Sequence, residues 1–357
     1  MRWIEAKDME AIALGAAVLG TGGGGDPYIG KVWAQSTLTR HGAVKLIEVG
    51  ELEDDDLVVP VAMMGAPTVI VEKLPKGDEP MLAFKAIEAY LGKPAKAVMC
   101  IEAGGLNSTI PFSVASSLGL PLVDCDGMGR AFPELQMVLP TLHGIQASPM
   151  VMADEKGNSL VVQTIDNKWT ERFARSIVVD MGGQATVVLY PMTGAQVKRA
   201  CIHGTLSLIE RIGQAIFDAR AARRDPVQAV LEITNGKRLF HGKVGDVLRR
   251  TEGGFARGEA TLSGLDAHDG QTMKVFFQNE FLLAERDGQA VAMTPDLIAM
   301  LDLDTGEPIT TEALRYGYRV AVIGMPCDPQ WRTPAGLELV GPGYFKYETA
   351  YVPLEPD

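Results

Sequence analysis

The sequence predicts a two-domain protein: an α/β domain with a mostly parallel sheet over residues 1–166, then an α+β, β-rich domain over residues 167–357. Three observations predict it. A chain of 357 residues exceeds the roughly 250 to 300 at which single cores stop growing. The first half alternates short apolar runs with helical stretches, as parallel strands joined by crossover helices do. The second half closes on alternating segments separated by Gly or Asp turns, the mark of antiparallel pairing.

Taken in order, Asp8 stands as an N-cap before MEAIALGAAVLG, whose small residues allow close packing, and this helix should stop at the glycines after it. A second helix spans about Tyr28 to Arg40. Short apolar strands follow at Val44 to Val49 and Leu57 to Met64, with an extended piece at Thr68 to Glu72. Helix Met81 to Leu91, strand Ala97 to Ile101, helix Pro111 to Leu118 and strand Leu122 to Asp124 complete the alternation. Turn residues Asp154 to Asn158 precede a strand from Ser159, a new helix begins near Asn167, and the domain boundary is placed there. A long amphipathic helix is expected over Lys198 to Arg223. Strands are expected at Lys243 to Thr251, Phe255 to Leu262, Thr272 to Phe277 and Phe281 to Glu285.

Composition narrows the function. A formal charge of −12 repels phosphate backbones and anionic headgroups, which argues against nucleic acid and membrane surfaces as partners. The 4 cysteines are scattered without a CxxC pair, which fits reduced thiols in a cytoplasmic protein. No apolar run reaches the 18 or so residues that span a bilayer.

Three loops could carry chemistry. In LGTGGGGDPY, Leu19 to Tyr28, consecutive glycines let backbone N–H groups converge, so Gly23, Gly24 and Gly25 are candidate ligand contacts, with a purely structural tight connection as the alternative. A helix precedes this loop, the Lys-Ser/Thr of a P-loop is missing, and Asp26 would repel a phosphate, so dinucleotide binding is disfavoured. In IEAGGLNS, Ile101 to Ser108, a strand leads directly into Glu102, Gly104, Gly105 and Asn107, which would face the crevice beyond the strand ends. The plainer reading leaves Glu102 on the surface and Asn107 as an N-cap. In VDCDGMGRAFPE, Val123 to Glu134, an extended strand would put Asp124 and Asp126 on one face, a pair that binds one metal ion or splits into acid and base. Arg130 could clamp a substrate carboxylate or neutralise the acidic pair. An Asp-Gly turn with incidental charges is the alternative. Cys125, between two carboxylates, should be a poor nucleophile.

These three stretches, in this order and spacing, resemble the N-terminal domain of the S-methyl thiohydantoin desulfurase family. The resemblance continues through TERFAR (170–175), MGG (181–183), GTLS (204–207), QNEFLLA (278–284), PDLI (295–298) and DTGEPIT (304–310), and so covers essentially the whole chain. Ala103, Cys125, Lys346 and Glu348 depart from the pattern. The resemblance implies hydrolysis of a C–S bond in an S-methylated five-membered ring, with hydantoinase- or oxoprolinase-like proteins as associates. A noncatalytic ligand-binding or regulatory partner of such an enzyme is the rival, and a homo-oligomer is open. The implied reaction needs a base, a proton donor and stabilisation of a tetrahedral adduct. On that footing Asp124 or Asp126 is the expected base or metal ligand, Glu102 a second acid, Gly104 and Gly105 amide donors, and Arg130 the contact for an anionic substituent. Arg175, at the domain seam, is a further binding candidate. If a divalent metal such as zinc is bound, Asp124, Asp126 and His203 are the candidate ligands, with His143 and Cys201 in reserve. In QNEFLLA, strand alternation puts Asn279 and Phe281 on one face and Glu280 on the other, as edge structure or a wall of the site.

Overall fold

The computed structural model describes residues 2–25, 27–65, 69, 76–252 and 255–355. Asp26 and, apart from Val69, the expected extended piece at Thr68 to Glu72 lie outside the described residues. The chain forms two domains, the first with a mostly parallel, helix-flanked sheet and the second with a curled antiparallel one.

The first sheet is built around parallel strands β2 (Val44–Ile47), β3 (Leu57–Gly65), β4 (Ala97–Cys100) and β5 (Leu122–Val123), side by side in the order β2-β5-β4-β3. Helices Glu79–Leu91 and Ile110–Leu118 make the crossovers into β4 and β5. Beyond β3 the sheet turns antiparallel, through β9 (Gln184–Val188), β7 (Met150–Ala153) and β8 (Ser159–Val162). β9 comes from the chain after residue 166, so the first sheet draws a strand from beyond the helix Asn167–Asp180. Because β9 runs against β3, its first residue, Gln184, pairs with the last of β3, Gly65.

Helix α1 (Met9–Leu19) is buried all round, and its small residues explain how. A Cβ on Gly15 would fall 1.8 Å from the carbonyl oxygen of Ile209, and one on Gly213 1.9 Å from that of Ala11, so the two glycines let α1 and helix Thr205–Ala221 touch backbone to backbone. Asp8 takes the N-cap position of α1 without a side-chain hydrogen bond to the helix; its carboxylate accepts from the Glu5 amide and closes the turn before it. The single helix expected over Lys198 to Arg223 is two, Gly194–Ala200 and Thr205–Ala221, separated by a short strand, β11 (Ile202–His203). Amphipathic periodicity continues across the gap, but Gly204, at φ 77°, reverses the chain.

The second sheet has the order β16-β15-β14-β13-β12-β18-β17 and is antiparallel throughout, formed by β12 (Lys237–Glu252), β13 (Phe255–Gly264), β14 (Thr272–Gln278), β15 (Glu280–Arg286), β16 (Gln289–Met293), β17 (Leu297–Asp302) and β18 (Arg319–Met325). β17 is apolar from Leu297 to Leu301 because both of its faces are buried. Leu297, Ala299 and Leu301 join the first core, while Ile298 and Met300 join the second. This two-sided strand fixes the domains against each other.

Candidate functional site

The parallel strands end where the two domains meet, and a cavity of about 120 Å³ opens there. Its wall includes Met63 to Gly65 at the end of β3, Ile101 and Glu102 after β4, Gln184 at the start of β9, Gly24 and Gly25 of the glycine loop, and Asn279 and Glu280 from the second domain. By volume it admits on the order of ten waters, or one small ring with a short substituent.

Glu102 is a buried carboxyl of the first domain at the cavity wall. Asn107 donates to its Oε1 over 3.0 Å and is itself docked on β3, accepting from the Met63 amide (2.7 Å) and donating to the Met63 carbonyl (3.3 Å). Asn107 is thus no helix cap: it extends the edge of β3 past Val61, where pairing with β4 ends, and aims Glu102 into the cavity. Burial pushes the Glu102 pKa up to about 8. The Asn107 hydrogen bond opposes the rise, the Asp126 charge adds to it and the Phe132 amide opposes it.

Asp126 does not share this cavity. Its Oδ2 accepts from the amides of Ala103 (2.8 Å), Met128 (2.8 Å) and Gly129 (2.7 Å), and its Oδ1 from the Thr205 hydroxyl (2.9 Å). Burial raises its pKa to about 6 against the pull of these donors, so it is ionised at neutral pH. Asp124 accepts from the Ser207 amide (3.1 Å) and from the Ser207 hydroxyl. Both aspartates therefore face the N-terminus of helix Thr205–Ala221, whose N-cap, Gly204, offers no side chain, and they complement its unpaired N–H groups and dipole. The expectation that Asp124 and Asp126 join Glu102 around one ligand is corrected: neither lines the cavity.

Arg130 is also corrected. It is fully buried, and its guanidinium spends all five N–H groups on protein oxygens: Ala131 O (3.1 Å), Pro295 O (3.1 Å), Asp296 O (2.7 Å), Thr21 Oγ1 (3.1 Å) and Phe281 O (3.1 Å). It staples the domains together and has no donor left for a substrate. Arg175 does line the cavity, with Nε on Glu171 Oε1 (2.8 Å), Nη2 on Pro133 O (3.2 Å) and its guanidinium stacked over the Phe255 ring.

The metal candidates do not converge. His203 is exposed and bonded to the Lys198 carbonyl, His143 bonds Gln330, and no group of His, Cys, Asp or Glu suited to hold a metal forms among the described residues. Cys125 is a poor nucleophile, as expected, but the main cause is burial, then its neighbour Cys201, with Asp126 a smaller contributor.

Gly24 and Gly25 reach the cavity, whereas Gly104 and Gly105 stand behind them. The Gly104 amide is held by Ser108 Oγ (2.7 Å), and a Cβ on Gly105 would fall 2.3 Å from the Gly25 carbonyl oxygen, so these glycines serve close contact between loops. Gly23 packs against Glu280.

Sequence reasoning missed Gln184, and gave Glu280 only as edge structure or a wall of the site, without a chemical role. Strand alternation failed at Asn279, which turns left-handed (φ 58°) at the tip between β14 and β15. Its amide and Oδ1 pair with Ala256, and the Phe281 amide donates to Thr21 O (2.7 Å), so the tip docks on the glycine loop with Asn279 and Glu280 both at the cavity. An Asn between two apolar strands was the available signal, since Asn tolerates that conformation.

No curated protein matches the chain. A crystal structure of a protein from Chromobacterium violaceum shares the fold, with a TM-score of 0.83 and 24% identity over 99% of this chain and 100% of that one. Family models for the S-Me-THD-like N-terminal domain and the S-Me-THD-like C-terminal domain match residues 7–164 and 165–354. The chain thus belongs to the S-Me-THD-like family, the S-methyl thiohydantoin desulfurase family that its loops resemble.

Proposed function

We propose that the chain hydrolyses the C–S bond of a small S-methylated thiohydantoin-like ring, leaving a hydantoin and methanethiol. Glu102 carries this reading. A carboxyl buried at a cavity wall, aimed by Asn107 and with a pKa of about 8, is basic enough to take a proton from water and is still partly ionised at neutral pH. The ring carbon between two nitrogens is the electrophile; Glu102 takes the proton as water adds there and passes it to the ring nitrogen.

The rest of the lining suits such a ring. Met63, Met64, Met128 and Phe132 give apolar walls for a neutral planar molecule. The buried Oε1 of Gln184 has no partner among the described residues and can accept a ring N–H. Arg175, with Nε and Nη2 already held, can offer Nη1 to an acidic substituent, the task expected of Arg130.

The test is to incubate the protein with S-methyl thiohydantoin bearing a propionate side chain and assay free thiol. Release is expected, and Arg175→Met should raise KM for this acidic ring by roughly tenfold with kcat little changed, as when a charge contact made equally in the ground and transition states is lost. Hydantoin binding without thiol release would favour the rival reading of a noncatalytic ligand-binding partner.

A further inference from the structure

The second domain contributes a carboxyl to the same cavity. Glu280 is 2% exposed, and its Oε2 is buried without a hydrogen-bond partner among the described residues. A buried polar atom left open on a residue of the cavity wall points to a group that completes its bonding when a ligand is present. Arg130 bears on Glu280 electrostatically but cannot donate to it, since its five N–H groups go elsewhere. Gly23 makes the room: a Cβ there would lie 1.9 Å from Glu280 Oε1 and 2.5 Å from its Cδ.

We propose that Glu280 is the proton donor to the leaving sulfur, working with Glu102 across the domain seam, and that Gly23 lacks a side chain because Glu280 fills its place. The proposal rests on the hydrolase reading and assigns its second half. Burial, the Glu102 charge and Glu312 raise the Glu280 pKa well above the ordinary range, with Arg130 opposing, which favours the protonated form that a donor needs. Water's oxygen bonds the ring carbon and one water proton reaches the ring nitrogen through Glu102, giving a neutral tetrahedral adduct. The C–S bond then breaks, its electron pair leaves on sulfur and takes the Glu280 proton, and the adduct hydroxyl returns a proton to Glu280 as C=O forms. Ring and water become hydantoin and methanethiol, and both carboxyls end in their starting states.

The experiment compares S-methyl and S-(2,2,2-trifluoroethyl) rings, because the fluorinated thiolate is far less basic and departs without an acid. Glu280→Gln should lower kcat/KM for the methyl ring by roughly a hundredfold or more, the range of a lost general acid, but for the trifluoroethyl ring by less than about tenfold. It should also remove the alkaline fall of the wild-type pH profile. Gly23→Ala, which displaces the end of a flexible side chain and leaves the backbone in place, should reproduce both signatures. Equal losses on the two rings, or none in either variant, overturn the assignment while the hydrolase reading stands. A wild-type protein that releases no thiol from either ring ends the hydrolase reading and this assignment with it.

Discussion

Two pairs of buried acids lie close together in this molecule, and they differ in what surrounds them. Asp124 and Asp126 sit among donors, with three amides and a hydroxyl on Asp126 and the Ser207 amide and hydroxyl on Asp124. Glu102 and Glu280 sit at a cavity, short of donors, with raised pKa values. A carboxylate given several N–H donors is held in place and serves the fold; one starved of them keeps its proton to higher pH and can exchange it with a ligand there. Donor count therefore separates a structural acid from a chemical one where residue type and burial do not.

The comparison breaks most directly at Glu102. Glu102→Gln keeps the shape and the cavity but removes the base, so kcat/KM should fall 10² to 10⁴-fold, about 3 to 5 kcal/mol on the barrier, with no loss of melting temperature. A Glu102→Gln protein with near wild-type thiol release would place the chemistry elsewhere.

Asp126 should give the opposite phenotype. Asp126→Asn turns one accepting oxygen into an amino group facing backbone donors, and unfolding free energy should drop by about 2 to 4 kcal/mol in denaturant titrations. The folded fraction should retain thiol release within about tenfold. Because the Asp126 charge helps raise the Glu102 pKa, the acidic limb of the rate profile should move to lower pH. Collapse of activity in a protein of unchanged stability would return Asp126 to the chemistry.

What could be seen beforehand follows the same line. Period and composition were enough for α1 and its glycine stop, for β2 to β5 with their crossovers, and for the antiparallel β12 to β15, since each obeys a local rule. The loops that meet were legible as well, and Glu102 and Asn107 lie where strand ends predict. Asp124 and Asp126 misled because spacing reveals a shared face but not that helix Thr205–Ala221 arrives from 79 residues away to occupy it. Arg130 misled similarly, as its acceptors at Phe281, Pro295 and Asp296 are distant in sequence. Glu280 was named as edge structure or a wall of the site, but one left-handed residue, Asn279, brings it to the same cavity as Asn279 where alternation put the two on opposite faces.

The smallest expected effect is a slope, and it tests the premise of the comparison. In the unfolded chain Glu102 ionises near 4.5, whereas in the fold it keeps its proton to about 8. A raised carboxyl contributes stability that is complete below the unfolded value, declines through the interval and is gone above the folded value. Wild-type stability should therefore fall between pH 4.5 and 8 by up to about 1.4 kcal/mol per pH unit relative to Glu102→Gln, which lacks the titration. Asp126, raised from 3.8 to about 6, adds a slope below pH 6 common to both proteins, so it cancels in the difference. Activity should run the other way over the same interval, rising as Glu102 ionises, until the loss of the Glu280 proton turns it down. Melting curves of the two proteins at pH 5, 6.5 and 8 suffice. Curves that stay parallel would mean that Glu102 ionises in the fold as it does in water, and the distinction between starved and saturated acids would fail.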